Sequence, residues 1–132
     1  MNKAFLGTFK LSSSVNFDEY LTMLGASFTM RKIYQLFTPT ITISTSNNTI
    51  TIEESSPSKT VLITFTIDVE FDETTLINSQ YKTTITEKDD MLVQSRAGDT
   101  PSTINRQIKD NQLIENYFIN GVTATRIFDR QP

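Results

Sequence analysis

The 132 residues are enough for one domain with a proper core, and a formal net charge of −3 argues against a nucleic-acid partner, which would want a basic face. With neither cysteine nor histidine, the chain has no thiolate nucleophile, no imidazole base for a serine triad, and no nitrogen or sulfur ligands for zinc. Any enzyme would have to work with scattered carboxylates and lysines, so a non-enzymatic protein without metal or cofactor is expected. No apolar run approaches the ~18 residues of a membrane span, and Met1-Asn2-Lys3 leads into no signal-peptide core. These features predict a soluble, cytoplasmic protein.

Ala4 to Leu11 reads as an opening strand with Phe5, Gly7, Phe9 and Leu11 on one side. Asn16-Phe17-Asp18-Glu19 has the form of a capping box, with Asn16 capping the first free amides and Glu19 reaching back. Phe17, Tyr20, Leu21 and Leu24 follow at helical spacing, and Gly25 ends the helix. A second short helix is predicted from Ser27 to about Leu36, stopped by Thr38-Pro39.

After Pro39 the pattern changes to strands separated by turn residues. Ile41 and Ile43 alternate with threonine and serine up to Ser46-Asn47-Asn48, and Ile50 and Ile52 continue beyond it to a break at Ser55-Ser56-Pro57-Ser58. Val61, Ile63, Phe65, Ile67, Val69 and Phe71 form one unbroken period-two row. Further strands are predicted over Gln80 to Glu87, Met91 to Arg96, Thr100 to Lys109, Gln112 to Ile119 and Val122 to Arg130. Their turns fall at Lys88-Asp89-Asp90 and Ala97-Gly98-Asp99, and at the two hairpins counted next.

Asn120-Gly121 between alternating runs is a type I′ hairpin signal, because both central residues of that turn need positive φ. A two-residue turn there puts Ile119 opposite Val122, Tyr117 opposite Ala124 and Glu115 opposite Arg126. If Asp110-Asn111 is the preceding turn, Arg106 faces Glu115 as well. Arg106, Glu115 and Arg126 then form one row on one face of three strands, with Phe128 on the same face. A slip of one residue in either hairpin would turn Glu115 outward.

About ten short antiparallel strands joined by hairpins make a sheet that can curl and close around a ligand cavity. The expected fold is all-β: a single domain over residues 1–132, a ten-stranded antiparallel up-and-down barrel capped by a helix-turn-helix lid. Whether the arginine row is an exposed ladder or lines the inside depends on that closure.

Specific residues resemble a known family. Gly7-x-Phe9-x-Leu11, four residues, then Asn16-Phe17-Asp18-Glu19-Tyr20-Leu21-x-x-Leu24 is similar to the N-terminal signature of the intracellular lipid-binding proteins, the fatty-acid-binding protein family. The likeness continues through Phe5-Leu6-Gly7-Thr8, Arg31, Thr38-Pro39-Thr40, Val69 to Thr74, Arg106 and Thr125-Arg126-x-Phe128. It implies a lidded ten-stranded barrel of the calycin type that carries fatty acids or related amphipathic ligands as a monomer, without catalysis.

In the fatty-acid-binding branch two arginines and a tyrosine hold the ligand carboxylate, which resembles Arg106, Arg126 and the position of Phe128. Phe128 departs from the pattern by lacking the hydroxyl, Glu115 stands where the family is usually apolar, and Ser58 replaces the usual phenylalanine of the portal turn.

An ionised carboxylate in an apolar cavity must be paired. Glu115 is therefore expected to neutralise one arginine and leave one positive charge for a monocarboxylate; alternatively it saturates the site and favours a neutral lipid. Candidate tail contacts are Phe17, Tyr20, Leu24, Met30, Ile33, Pro39, Ile63 and Tyr117. A portal is expected around Arg31, Lys32, Pro57, Ser58, Lys59 and Thr75. The expected ligand is a long-chain fatty acid, with a retinoid or neutral apolar lipid as the variant. A different class of role is a membrane or protein contact, through Arg31 and Lys32, with any bound lipid structural.

Overall fold

Asn47-Asn48, Asp89-Asp90, Asp110-Asn111 and Asn120-Gly121 all take positive φ at both positions, the backbone that two-residue antiparallel turns require. In the computed structural model, which describes residues 1–132, these turns and longer ones link ten strands. They are β1 (Gly7–Val15), β2 (Thr40–Ser46), β3 (Thr49–Ser56), β4 (Lys59–Phe65), β5 (Phe71–Thr74), β6 (Gln80–Lys88), β7 (Met91–Ala97), β8 (Ser102–Lys109), β9 (Gln112–Ile119) and β10 (Val122–Arg130). Helices α1 (Phe17–Leu24) and α2 (Phe28–Gln35) lie between β1 and β2.

The strands hydrogen-bond antiparallel in the order β4-β3-β2-β1-β10-β9-β8-β7-β6-β5, so the first strand joins the last and the sheet curls into a nearly closed barrel. No ladder joins β4 to β5. Both hairpin counts hold: Glu115 pairs with Arg126 across β9 and β10, and with Arg106 across β8 and β9. Their side chains are buried, which places the row inside.

Three local expectations fail. The row from Val61 to Phe71 is not one strand: β4 ends at Phe65, Asp68 takes a left-handed φ of 66°, and β5 starts at Phe71. Thr66 to Glu70 forms a turn rather than a ladder, its Asp68 N–H donating to the Ile85 carbonyl of β6 at 2.9 Å, and Val69 is exposed. This split supplies the tenth strand. At the N-terminus, Lys3–Phe5 is a 3-10 turn whose Ala4 N–H donates to the Asn2 side chain at 2.9 Å, and the strand begins at Gly7 and runs on to Val15. Asn16 does not cap α1. It sits at φ 60° with its side-chain Nδ2 donating to the Thr123 carbonyl at 3.3 Å, a tertiary bond that turns the side chain toward β10, and its Oδ1 makes no cap bond to the helix.

The helices attach unequally. α1 buries Tyr20, Leu21 and Leu24 in a cluster with Ile104, Tyr117, Ile119 and Ala124, which seats it over the end of β8 to β10. α2 is capped by Ser27, which accepts from the Met30 N–H at 3.2 Å, yet it contains no buried residue. Away from the lid, a second cluster of Phe5, Phe9, six isoleucines, Phe65, Leu92, Leu113, Phe128 and their neighbours fills the barrel.

Candidate functional site

Strand alternation sends Glu73 from β5, Gln94 and Arg96 from β7, Arg106 from β8, Glu115 and Tyr117 from β9, and Arg126 from β10 into the same interior layer. Glu54 of β3 reaches it from the opposite side. Each of the three arginines meets a carboxylate. Arg96 grips Glu73 with two bonds, Nε to Oε1 at 2.9 Å and Nη2 to Oε2 at 2.6 Å, and its Nη1 donates to the Tyr20 hydroxyl at 2.6 Å. Thr83 and Gln94 also donate to Glu73, each at 2.8 Å.

Gln94 joins this group to the next, since its Oε1 accepts from Arg106 Nη1 at 2.6 Å while Arg106 Nε donates to Glu115 Oε2 at 2.7 Å. The Tyr117 hydroxyl donates to Glu115 and accepts from Arg126 Nε at 2.9 Å. Arg126 Nη2 lies 2.6 Å from Glu54 Oε1 and 3.2 Å from Glu115 Oε1, and its Nη1 lies 3.2 Å from Glu54 Oε2. One chain of polar contacts therefore runs from Tyr20 in the lid to Glu54.

Burial alone would push the Glu73 and Glu115 carboxyls up, but the adjacent guanidiniums outweigh it. Arg96 holds Glu73 below the usual carboxylate range, and the charges of Arg106 and Arg126 do the same for Glu115. Burial raises the Tyr117 and Tyr20 hydroxyls, so both stay protonated and able to donate. Burial acts against the charge on Arg126, yet Glu54 and Glu115 keep it firmly protonated.

The expectation that Glu115 leaves one uncompensated positive charge is overturned. Glu54 and Glu73 complete a balance of three carboxylates against three guanidiniums, Arg96, Arg106 and Arg126. A buried guanidinium without an anion would cost several kcal/mol or more, which is why each has one. Arg96, Glu73, Gln94 and Glu54 were missed in the sequence although a signal was present. Each lies in phase with apolar inward residues of its own strand, Leu92 for Gln94 and Arg96, Phe71 for Glu73, Ile50 and Ile52 for Glu54.

Two cavities meet at this layer. The inner one is small, about 50 Å³, because the network and its neighbours occupy the barrel; Tyr20, Leu24, Ile63, Thr75, Tyr117, Glu115 and the three arginines line it. The outer one, about 470 Å³, lies beneath the helices and is walled by Leu11, Phe17, Tyr34, Phe37, Pro39, Lys59, Val61 and Leu76 among others. Arg126 and Glu54 line both. The Phe17 ring covers the Arg126 guanidinium at 4.2 Å, with Phe128 on the same guanidinium at 5.0 Å.

Of the other expected contacts, Met30 packs against the lid cluster. Ile33 is 42 % exposed, because Met30 and Tyr34, four apart, form the inward side of α2. Thr75 is buried rather than at an open rim, its hydroxyl 2.6 Å from that of Ser79. Lys59 donates to the Leu76 carbonyl across the gap that separates β4 from β5, while Pro57 and Ser58 are exposed in the adjoining turn. Arg31 is turned inward, donating to Asp18 and to the Ala26 carbonyl at 3.2 Å each, and Lys32 lies exposed over the Phe28 ring.

Residues 6–131 match the model of the lipocalin / cytosolic fatty-acid binding protein family. The chain is 37 % identical to human fatty acid-binding protein 9, over 98 % of this chain and 99 % of that one. Among solved structures, the fatty acid transporter REP1-NXSQ superposes with a TM-score of 0.93 at 35 % identity, covering 96 % of each chain. The fatty acid binding protein of Schistosoma mansoni in complex with arachidonic acid superposes with a TM-score of 0.92 at 30 % identity, over 98 % of this chain and 97 % of that one.

Proposed function

The chain belongs to the lipocalin / cytosolic fatty-acid binding protein family, whose members are lipid-binding carriers rather than enzymes, and on that premise we propose that it carries long-chain fatty acids in the cytosol as a monomer. The observation that carries this reading is the position of Arg126, a buried guanidinium that also faces the outer cavity. A fatty acid seated there has its carboxylate on Arg126 and its tail against Leu11, Phe37, Val61 and Leu76. The volume of about 470 Å³ falls within the ~300–1,000 Å³ typical of small-ligand sites. Each buried methylene contributes about 0.8 kcal/mol, so a long tail supplies on the order of 10 kcal/mol before the costs of association.

Arg106 has a lesser part than the family pattern implies. It lines only the inner cavity and is occupied by Glu115 and Gln94, and with Phe128 in place of a tyrosine the anchor falls to Arg126. The charge balance of the layer favours one alternative, a neutral lipid that leaves every ion pair in place. Mass spectrometry of lipids extracted from the purified protein, beside Arg126→Ala, separates the two. Long-chain fatty acid from the wild type and none from the variant is expected. Neutral lipid, or recovery indifferent to Arg126, overturns the fatty-acid reading.

A further inference from the structure

We infer that Glu54 is an internal competitor for Arg126, a tethered carboxylate that a ligand carboxylate must displace and that therefore sets the preference between fatty acids and neutral lipids. The inference rests on the fatty-acid reading and deepens it.

A guanidinium offers a carboxylate its best fit along an edge where two nitrogens donate in parallel. In Arg126 the edge formed by Nη1 and Nη2 is taken by the two oxygens of Glu54, at 3.2 and 2.6 Å, and Nε is committed to the Tyr117 hydroxyl. A fatty acid entering through the outer cavity thus finds the anchor already holding a carboxylate. One of the two glutamates on Arg126 has to leave, and their surroundings decide which.

Glu115 is 1 % exposed and is held by Arg106 and Tyr117 as well as by Arg126. Expelling it would strand Arg106 inside the barrel. Glu54 has an 18 % exposed side chain, Arg126 is its only ion-pair partner, and it already lines the outer cavity. Released from Arg126, it regains water in that cavity, where Lys59 also lines the wall. The exchange replaces one carboxylate by another, so the interior keeps its balance of charge at every stage. A neutral lipid has no anion to offer Arg126 and leaves Glu54 in place.

Glu54→Gln keeps the shape and removes the charge. Binding of oleate and of oleyl alcohol to the wild type, Glu54→Gln and Arg126→Gln is measured by titration calorimetry, with circular dichroism to confirm that each variant is folded. Oleate is expected to bind Glu54→Gln about tenfold more tightly than the wild type, with oleyl alcohol changed less than about twofold. Glu54→Ala, which cannot retain a hydrogen bond to Arg126, should shift oleate in the same direction.

If oleate binds the wild type and is lost in Arg126→Gln, but is no tighter in the Glu54 variants, the competitor role is overturned and the carrier reading stands. If oleate binds neither the wild type nor the Glu54 variants, both fail. Equal gains for oleate and the alcohol would also overturn the role, because Glu54 would then act on access rather than on charge.

Discussion

The two sides of the barrel wall are built on the same alternation but present different interiors. From β2 to β4 the buried inward residues are Ile41, Ile43, Ile50, Ile52, Ile63 and Phe65, an almost uninterrupted apolar surface. From β5 to β10 the same phase carries Glu73, Thr83, Gln94, Arg96, Arg106, Glu115 and Arg126 among its apolar residues. The apolar side can pack against anything of the right volume. The polar side satisfies its groups only in one arrangement, since each guanidinium needs a particular carboxylate and each carboxylate a particular donor. Stability without direction comes from the first; the second fixes which space is left and what can meet it. Glu54 is the carboxylate that crosses from the first side to the second.

The largest test of this contrast lies in the Glu73–Arg96 pair. Glu73→Leu or Arg96→Met alone should cost about 3–5 kcal/mol, because each strands a buried charge, whereas the double variant should recover most of that loss. Urea unfolding of the wild type and the three variants gives the coupling directly. A double variant as unstable as the two singles added together would mean that the pair contributes through packing, and the contrast would fail.

A smaller and independent test compares sensitivity to pH. Glu73 and Glu115 have folded values depressed below their unfolded ones, so their contribution is present above the ordinary carboxylate range and is lost as pH falls through the folded values. Stability should fall as pH drops below about 4, by up to ~1.4 kcal/mol per pH unit for each proton taken up. Ile52→Ala, on the apolar side, should cost about 2–5 kcal/mol, and by a similar amount at pH 7 and below pH 4. Thermal denaturation over that pH series, with and without Ile52→Ala, separates the two contributions.

The smallest expected effect sharpens the same contrast in the lid. α1 is tied to the charged layer by Tyr20 and by the Phe17 ring over Arg126, while α2 has no fully buried residue and only Met30 and Tyr34 packed inward. Ser27→Ala should therefore loosen α2 by about 1 kcal/mol or less and leave global unfolding almost unchanged. Amide exchange should quicken in α2 and not in α1. Equal quickening in both helices would show that the lid opens as a unit.

Much of this was legible in the chain. Asn120-Gly121 and Asp110-Asn111 are turns of fixed length, so counting outward from them gave the true cross-strand partners and the row of Arg106, Glu115 and Arg126. The helix spacing of Phe17 to Leu24 and the second short helix opening at Ser27 were read correctly as well. Local pattern misled where a non-local contact intervened. Asn16 gives its side chain to β10 instead of to its own helix, and the alternation from Val61 to Phe71 runs straight over a turn.

What the sequence determined by itself is everything reachable by counting through short turns: strand existence, register and facing, hence which arginines share a row with Glu115. What only the tertiary structure decided is which distant residues complete that row. Arg96 meets Glu73 across 23 positions, Tyr20 across 76, and Arg126 meets Glu54 across 72. Those pairs form because closing the barrel buries every inward charge at once. Each must then find an opposite charge or donor among whatever the facing wall presents. Alternation along one strand can say that a side chain points inward, but it carries no information about what waits on the other side of the barrel.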